Sequence, residues 1–196
     1  MIASLSTEFL RAIRLTLVFA VFTGLVYGLV LTGVFQVIFP SQANGSLVTQ
    51  NGQVVGSQLI GQEFKSDRYF HGRVSATATP YAADNSAGSN LGPNNKVLID
   101  RVASSARAIR ADNGLPPDAQ IPVDLVTADF SGFDPDVSEA SALLQVDRVA
   151  KARGLDPGRV RALVEKYVQG RILWVFGEPH VNVFQLNMAL DAGEAG

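Results

Sequence analysis

The sequence predicts a membrane-anchored protein of the α+β class: a single N-terminal transmembrane helix, then one soluble extracytoplasmic α+β domain. Three observations predict it. No charged residue lies between Arg14 and Glu63, and Leu15 to Phe39 is an almost wholly apolar run. That run exceeds the roughly 20 residues, at about 1.5 Å each, that cross the hydrocarbon core as a helix. The remaining chain, about 150 residues and normal for a single core, places strand-like runs at both ends and helical patterns in the middle, the order of an α+β domain.

The expected divisions are a cytoplasmic tail at 1–14, a transmembrane helix at 15–39, a linker at 40–45 and a soluble domain at 46–196. A cleaved signal peptide is the competing reading of the first segment, with Ser41-Gln42-Ala43 as a small-x-small site. Signal-peptide apolar cores run to only about 7 to 15 residues, so length favours a retained anchor. Arg11 and Arg14 flank the run on one side, and no Lys or Arg stands between Pro40 and Gln62. The positive-inside tendency then puts the N-terminus in the cytoplasm and the large domain outside. The absence of cysteine is neutral on this point.

Within the span, Thr16, Ala20, Gly24, Gly28, Thr32 and Gln36 recur every fourth residue. Association in lipid depends on close backbone approach and interhelical hydrogen bonds, which small residues on one ridge permit. These six residues are the candidate interface. A fourth-residue ridge is inclined to the helix axis, so its two ends need not face one partner. Both a second copy and a larger membrane protein remain open as that partner.

Pro40 is expected to end the helix, with Ser41 to Gly45 as a short linker. Asn51-Gly52 between Leu47-Val48-Thr49 and Val54-Val55 signals a hairpin with a type I′ turn. Residues 64–95 look irregular, either a working surface or poorly ordered. A helix should start near Asn94 or Asn95, present Leu98, Val102, Ser105 and Ile109 on one face, and stop at Gly114. Ile121 to Ala128 reads as a strand. Ser138 caps a helix with Leu143, Leu144, Val146 and Val149 inward and Gly154 as its stop. Asp156-Pro157 then opens a second one through Val160, Leu163, Val164, Tyr167 and Val168, closed by Gly170. Ile172 to Phe176 and Val181 to Phe184, around Gly177-Glu178-Pro179, read as a final strand pair.

Motifs that carry chemistry are scarce. His71 and His180 have no partner at ligand spacing. Asp134-Pro135-Asp136 and Ser138 begin like a calcium loop, but Glu139 stands where glycine is needed and Gln145 where glutamate is needed. Gly88 to Asn95 is glycine-rich without the Lys-Ser or Lys-Thr of a P-loop. The helix–Gly154-Leu155-Asp156–helix element resembles a DNA-reading motif. Only two of the 16 basic and one of the 18 acidic residues precede Glu63, so the domain carries 14 positive against 17 negative charges. That balance, on the outer side of a membrane, excludes a nucleic-acid partner. From residues alone, the expectation is an anchored outer domain that packs on another membrane protein. A stand-alone anchored ligand-binding or enzymatic domain is the alternative.

Several blocks, in one order, resemble the C subunit of the Kdp potassium-transporting ATPase, the KdpC family. They are Gly56-Ser57-Gln58-Leu59-Ile60-Gly61-Gln62, Tyr69-Phe70-His71-Gly72-Arg73-Val74-Ser75-Ala76 and Gly88-Ser89-Asn90-Leu91-Gly92-Pro93-Asn94-Asn95. Pro122-Val123-Asp124-Leu125-Val126-Thr127-Ala128 follows, then Ala142-Leu143-Leu144-Gln145-Val146 with Arg148-Val149-Ala150. Gly177-Glu178-Pro179 with Val181-Asn182-Val183 and Leu186-Asn187 complete the set. The chain departs from the family at Val74 and Asp147, often proline there, and at Asp129, Phe130 and Phe133.

The resemblance implies a non-catalytic, accessory subunit of a high-affinity potassium uptake complex in the bacterial inner membrane. Its partners would be a channel-like potassium-translocating subunit and a P-type ATPase subunit. This chain has neither the Asp-Lys-Thr-Gly-Thr phosphorylation motif of the latter nor a Thr-Val-Gly-Tyr-Gly potassium filter. The family is also described as a catalytic chaperone that raises ATP affinity, with the glutamine matching Gln145 as a nucleotide contact. The inferred topology puts Gln145 outside and ATP inside, where a surface or interface role is simpler. No tightly bound cofactor, catalytic residue or metal ligand is therefore expected, and ATP enters only through the ATPase subunit.

Overall fold

The computed structural model describes the main chain of residues 2–195 and the side chains of residues 6–195. Two compact units divide between Leu47 and Val48. The first is one continuous helix, α1 (Ile2–Val21) and α2 (Tyr27–Ile38) joined by a π-helical turn at Phe22–Val26, followed by the short α3 (Pro40–Ala43). Residues 2–14, read as a tail, are helical too, and Glu8 accepts from Arg11 one turn on at 2.6 Å. Ser6–Ile38 is long and apolar enough to cross a membrane. Helix α2 ends at Ile38, one residue before Phe39, whose φ of −132° is non-helical. Pro40 then opens α3 at its first position, where its missing N–H costs nothing.

All but the first residue of the hairpin β1 (Leu47–Gln50) and β2 (Gln53–Ser57) belongs to the second unit. Asn51 and Gly52 take φ of +52° and +78°, the left-handed pair that a type I′ turn requires. Helix α4 (Lys96–Asp112) starts where expected, the Asn95 side chain accepting from the Val97 N–H at 2.8 Å. None of its residues is fully buried.

A three-stranded antiparallel sheet of order β3-β5-β4 joins β3 (Asp136–Ser138), β5 (His180–Asn182) and β4 (Val168–Gln169). Val181 sits opposite Val137 on one side and Val168 on the other. Helices α6 (Glu139–Leu144), α7 (Val146–Arg153), α8 (Pro157–Lys166) and α9 (Val183–Asp191) supply most of the core, through Ala142, Val146, Val149, Val160, Val164 and Leu186. Ser138 caps α6, Asp156 caps α8, and Gly154 at φ +69° ends α7, each as its residue type dictates.

Four readings of the sequence change. The helix after Ser138 is two helices, broken at Gln145, whose N–H bonds back only three residues to Ala142. Leu143 and Leu144 are in consequence only partly buried. Helix α8 stops at Lys166 with Tyr167 as its cap, so Val168 enters the sheet and Gly170 closes nothing. Ile121 to Ala128 is a single turn of helix, α5 (Val123–Val126), with one bridge from Ala128 to Val74. The final strand pair is replaced by β5 and α9. Val183, Phe184, Leu186, Asn187 and Leu190 are buried at helical spacing, and the Asn182 side chain caps the helix by accepting from the Gln185 N–H at 3.0 Å. Ile172 to Phe176 folds into a tight exposed turn instead.

Candidate functional site

Residues 64–76 carry almost no regular structure, yet Phe70 is wholly buried in the core. A buried main chain must have its polar groups paired, and side chains do it here. Asn187 on α9 takes the Phe70 N–H at 2.8 Å and donates to the Phe70 carbonyl at 2.9 Å. Gln145 does the same for the next residue, accepting from the His71 N–H at 2.7 Å and donating to its carbonyl at 3.0 Å. Each amide acts as a short piece of strand, clamping one residue of an irregular segment.

Gln145 also donates to the Ser141 carbonyl and accepts from Arg148, so both lone-pair sites and both amide hydrogens are engaged inside the fold. It is 2 % exposed, a buried clamp and not the surface residue its capped helix implied. The cleft beside it, lined among others by His71, Arg73, Ser105, Asp112 and Gln145, holds about 200 Å³. That is below the roughly 300–1,000 Å³ of small-molecule sites.

Arg148 closes the clamp. Its guanidinium donates to the carbonyls of Asp67 and Tyr69 at 2.9 and 3.0 Å, to Gln145, and to the Asn113 side chain at 3.0 Å. All four acceptors are neutral, so the fork serves as a multidentate donor rather than half of an ion pair. Burial pulls its pKa down, opposed by the more distant Asp67 and Asp112. At the outer end, Arg153 donates to the Arg68 carbonyl and to Asp191, and lies 5.0 Å over the Tyr69 ring. Nothing in the local sequence announced Arg148 or Asn187. Both stood only within the blocks that carry the family resemblance.

Burial, helped by the positive charge of Arg148, lowers the His71 pKa below the ordinary 6.5. A histidine held neutral contributes stability that is fully present above its unfolded-state pKa and is lost as pH falls toward the folded value. The midpoint of thermal unfolding should therefore drop on acidification below about pH 6.5. Asp136, raised mainly by burial, works in the opposite direction at lower pH. The His71→Gln variant should show a flatter dependence than the parent between neutral and mildly acidic pH; identical slopes would remove His71 from this role.

In the membrane helix, the Tyr27 N–H bonds to the Phe22 carbonyl five residues back. An uninterrupted α-helix would carry a fourth-residue ridge about 40° around the axis at each step. The π turn holds one extra residue, equivalent to about 100° of rotation, and takes that drift back. Thr16, Ala20, Gly24, Gly28 and Thr32 thereby fall on one face, with Gln36 at its trailing edge. Thr32 donates to the Gly28 carbonyl at 2.8 Å. Gln36 exchanges amide hydrogen bonds with Asn44 at 3.0 and 3.3 Å, which pins α3 back onto α2. Among the described residues no group of three or more His, Cys, Asp or Glu is placed to hold a metal ion.

These features define a class: a protein anchored by a single membrane helix, whose one α+β domain uses its buried polar groups to brace its own main chain. The family model described as K+-transporting ATPase, c chain, matches residues 9–192. The chain belongs to this family, KdpC. It is 52 % identical to the potassium-transporting ATPase KdpC subunit of Rhodopseudomonas palustris strain BisB18, covering 95 % of this chain and 98 % of that one. It is 50 % identical to the subunit so named in Bradyrhizobium diazoefficiens, with 96 % and 98 % covered, and 55 % identical to that of Burkholderia orbicola, with 88 % and 90 % covered. Membership makes it an accessory subunit of the multi-subunit Kdp potassium-transporting ATPase, and the stand-alone alternative is not favoured.

Proposed function

We propose that this chain is a non-catalytic assembly subunit of the bacterial inner membrane. Its helix packs on the channel-like potassium-translocating subunit, and its α+β domain lies outside the cytoplasm, holding that subunit and the P-type ATPase subunit in one complex. The observation that carries this reading is the membrane helix. A span of this length needs no alignment of small residues to serve as a tether, yet the π turn brings Thr16, Ala20, Gly24, Gly28 and Thr32 onto one face. The lack of both a phosphorylation motif and a potassium-filter motif supports a supporting role.

Gln145, in this reading, shapes the fold by clamping His71, and any influence on ATP affinity passes through assembly. ATP belongs to the ATPase subunit, and no cofactor is held here. An affinity pull-down of this chain from detergent-solubilised membranes should recover both other subunits, and protease added to intact spheroplasts should digest residues 48–196. Recovery of the chain alone would sink the assembly role; a protected domain would reverse the topology.

A further inference from the structure

The turn at Ile172–Phe176 is the least explained part of the domain. Its five consecutive side chains, Ile, Leu, Trp, Val and Phe, are 64 to 89 % exposed, with Trp174 the most open. Folding does not use them, and contiguous apolar surface of this kind on a soluble face usually marks a contact. Leu173 and Trp174 both adopt left-handed backbone, at φ +52° and +61°, a conformation that Cβ and carbonyl sterics disfavour for bulky residues. Strain at an exposed tip that stabilises nothing points to function.

We propose that this tip is a lipid-docking element that enters the interfacial zone of the bilayer the helix spans. Three features favour lipid over a protein surface. First, the connection is short. Phe39 to Leu47 is nine residues, part of it coiled into α3, so at no more than about 3.5 Å per residue the first strand is tethered within roughly 30 Å of the end of the apolar helix. Second, the tip pairs four of its five main-chain N–H groups within the turn and its base. The Ile172 and Phe176 N–H groups bond across to each other's carbonyls at 2.9 Å, Trp174 bonds to Arg171 and Val175 to Ile172. That pairing lowers the cost of approaching a medium of low polarity, and the carbonyls left open at the tip suit the hydrated headgroup zone rather than the hydrocarbon core.

Third, the chemistry is graded. The tip has no hydrogen-bonding side chain except the indole N–H, while Arg171 and Glu178 form an ion pair at 2.6 Å at its base. An apolar end bearing Trp and Phe, below a charged collar, matches the headgroup boundary, where aromatic rings concentrate. It lacks the polar pattern that would fix register on a protein. The proposal rests on the helix being membrane-embedded, and is independent of which subunit that helix contacts.

Trp174 is the chain's single tryptophan, so the native protein carries its own probe. The full-length chain is reconstituted in phosphatidylethanolamine and phosphatidylglycerol vesicles, and its emission is read with phospholipids brominated near the carbonyl end of the acyl chains and, separately, with aqueous iodide. Lipid docking predicts a blue-shifted emission, loss of most of it to the brominated lipid, and little loss to iodide. Strong quenching by iodide alone overturns the proposal, because the tip is then in water. Protection from both quenchers overturns it in favour of a protein cover, with dependence on protein-to-lipid ratio identifying a second copy. A second arm uses the Trp174→Ser, Phe176→Ser double variant in the full complex. Recovery of the other subunits in detergent should be unchanged; its loss would make the tip a subunit contact instead.

Discussion

Asn187→Ala is expected to remove about 3–5 kcal/mol from the unfolding free energy of the domain, a large part of the roughly 5–15 kcal/mol typical of a whole domain. Asn187 is 1 % exposed, and its amide is the hydrogen-bond partner of both the N–H and the carbonyl of Phe70. Truncation leaves both main-chain groups in the core, too deep for water to replace what was lost. A buried donor or acceptor left unpaired costs about 1–3 kcal/mol, and two adjacent ones add to the small void created. The damage should spread, since Phe70 is itself a core side chain and Gln145 and Arg148 hold the neighbouring residues of the same segment. Asn187→Asp should be no better: it keeps the acceptor, loses the donor and buries a charge. Urea unfolding followed by far-UV circular dichroism of the detergent-solubilised chain measures this. Gln53→Ala, on an exposed strand position, should stay within about 0.5 kcal/mol. A loss of less than about 1 kcal/mol at Asn187 would show that the clamp is replaceable.

That clamp also marks the boundary of what the sequence discloses. Signals that act within a few residues were legible: the Asn51-Gly52 turn, the caps at Asn95, Ser138 and Asp156, and the left-handed stop at Gly154. Residues 64–76 were not, because their order comes from side chains far along the chain. Gln145 pairs with His71 across 74 positions and Asn187 with Phe70 across 117, and no local periodicity encodes such a contact. Apolar runs misled for the opposite reason. Ile172 to Phe176 has strand composition but no neighbour to pair with, and Val181 to Phe184 has the composition of one strand although Asn182 divides it into a strand end and a helix cap. The membrane ridge was legible as a spacing. What the spacing left open was how far apart its ends lie around the axis, and the π turn narrows that separation.

Replacing Gly24 and Gly28 together with leucine is expected to abolish assembly while leaving the chain folded. A Cβ built on either glycine meets nothing within 4 Å, so the new side chains clash with no part of this protein. Leucine is also the better helix former, by somewhat under 1 kcal/mol per residue. The substitutions therefore harm only a partner that approaches at this face. In lipid that harm is large, because an extra isobutyl group gains nothing by leaving hydrocarbon for hydrocarbon and costs the close packing on which association depends. Recovery of the channel-like subunit in pull-downs should fall by about tenfold or more, the equivalent of at least about 1.4 kcal/mol. Gly33→Leu is the matched control. It is equally open in this chain but lies about 140° around the helix from Gly28, so recovery should persist. Equal loss from both variants would mean that bulk anywhere on the span disturbs assembly, and the aligned face would have no special part in it. Full recovery from the Gly24, Gly28 double variant would move the interface off this helix face altogether, and the π turn would then need a different explanation.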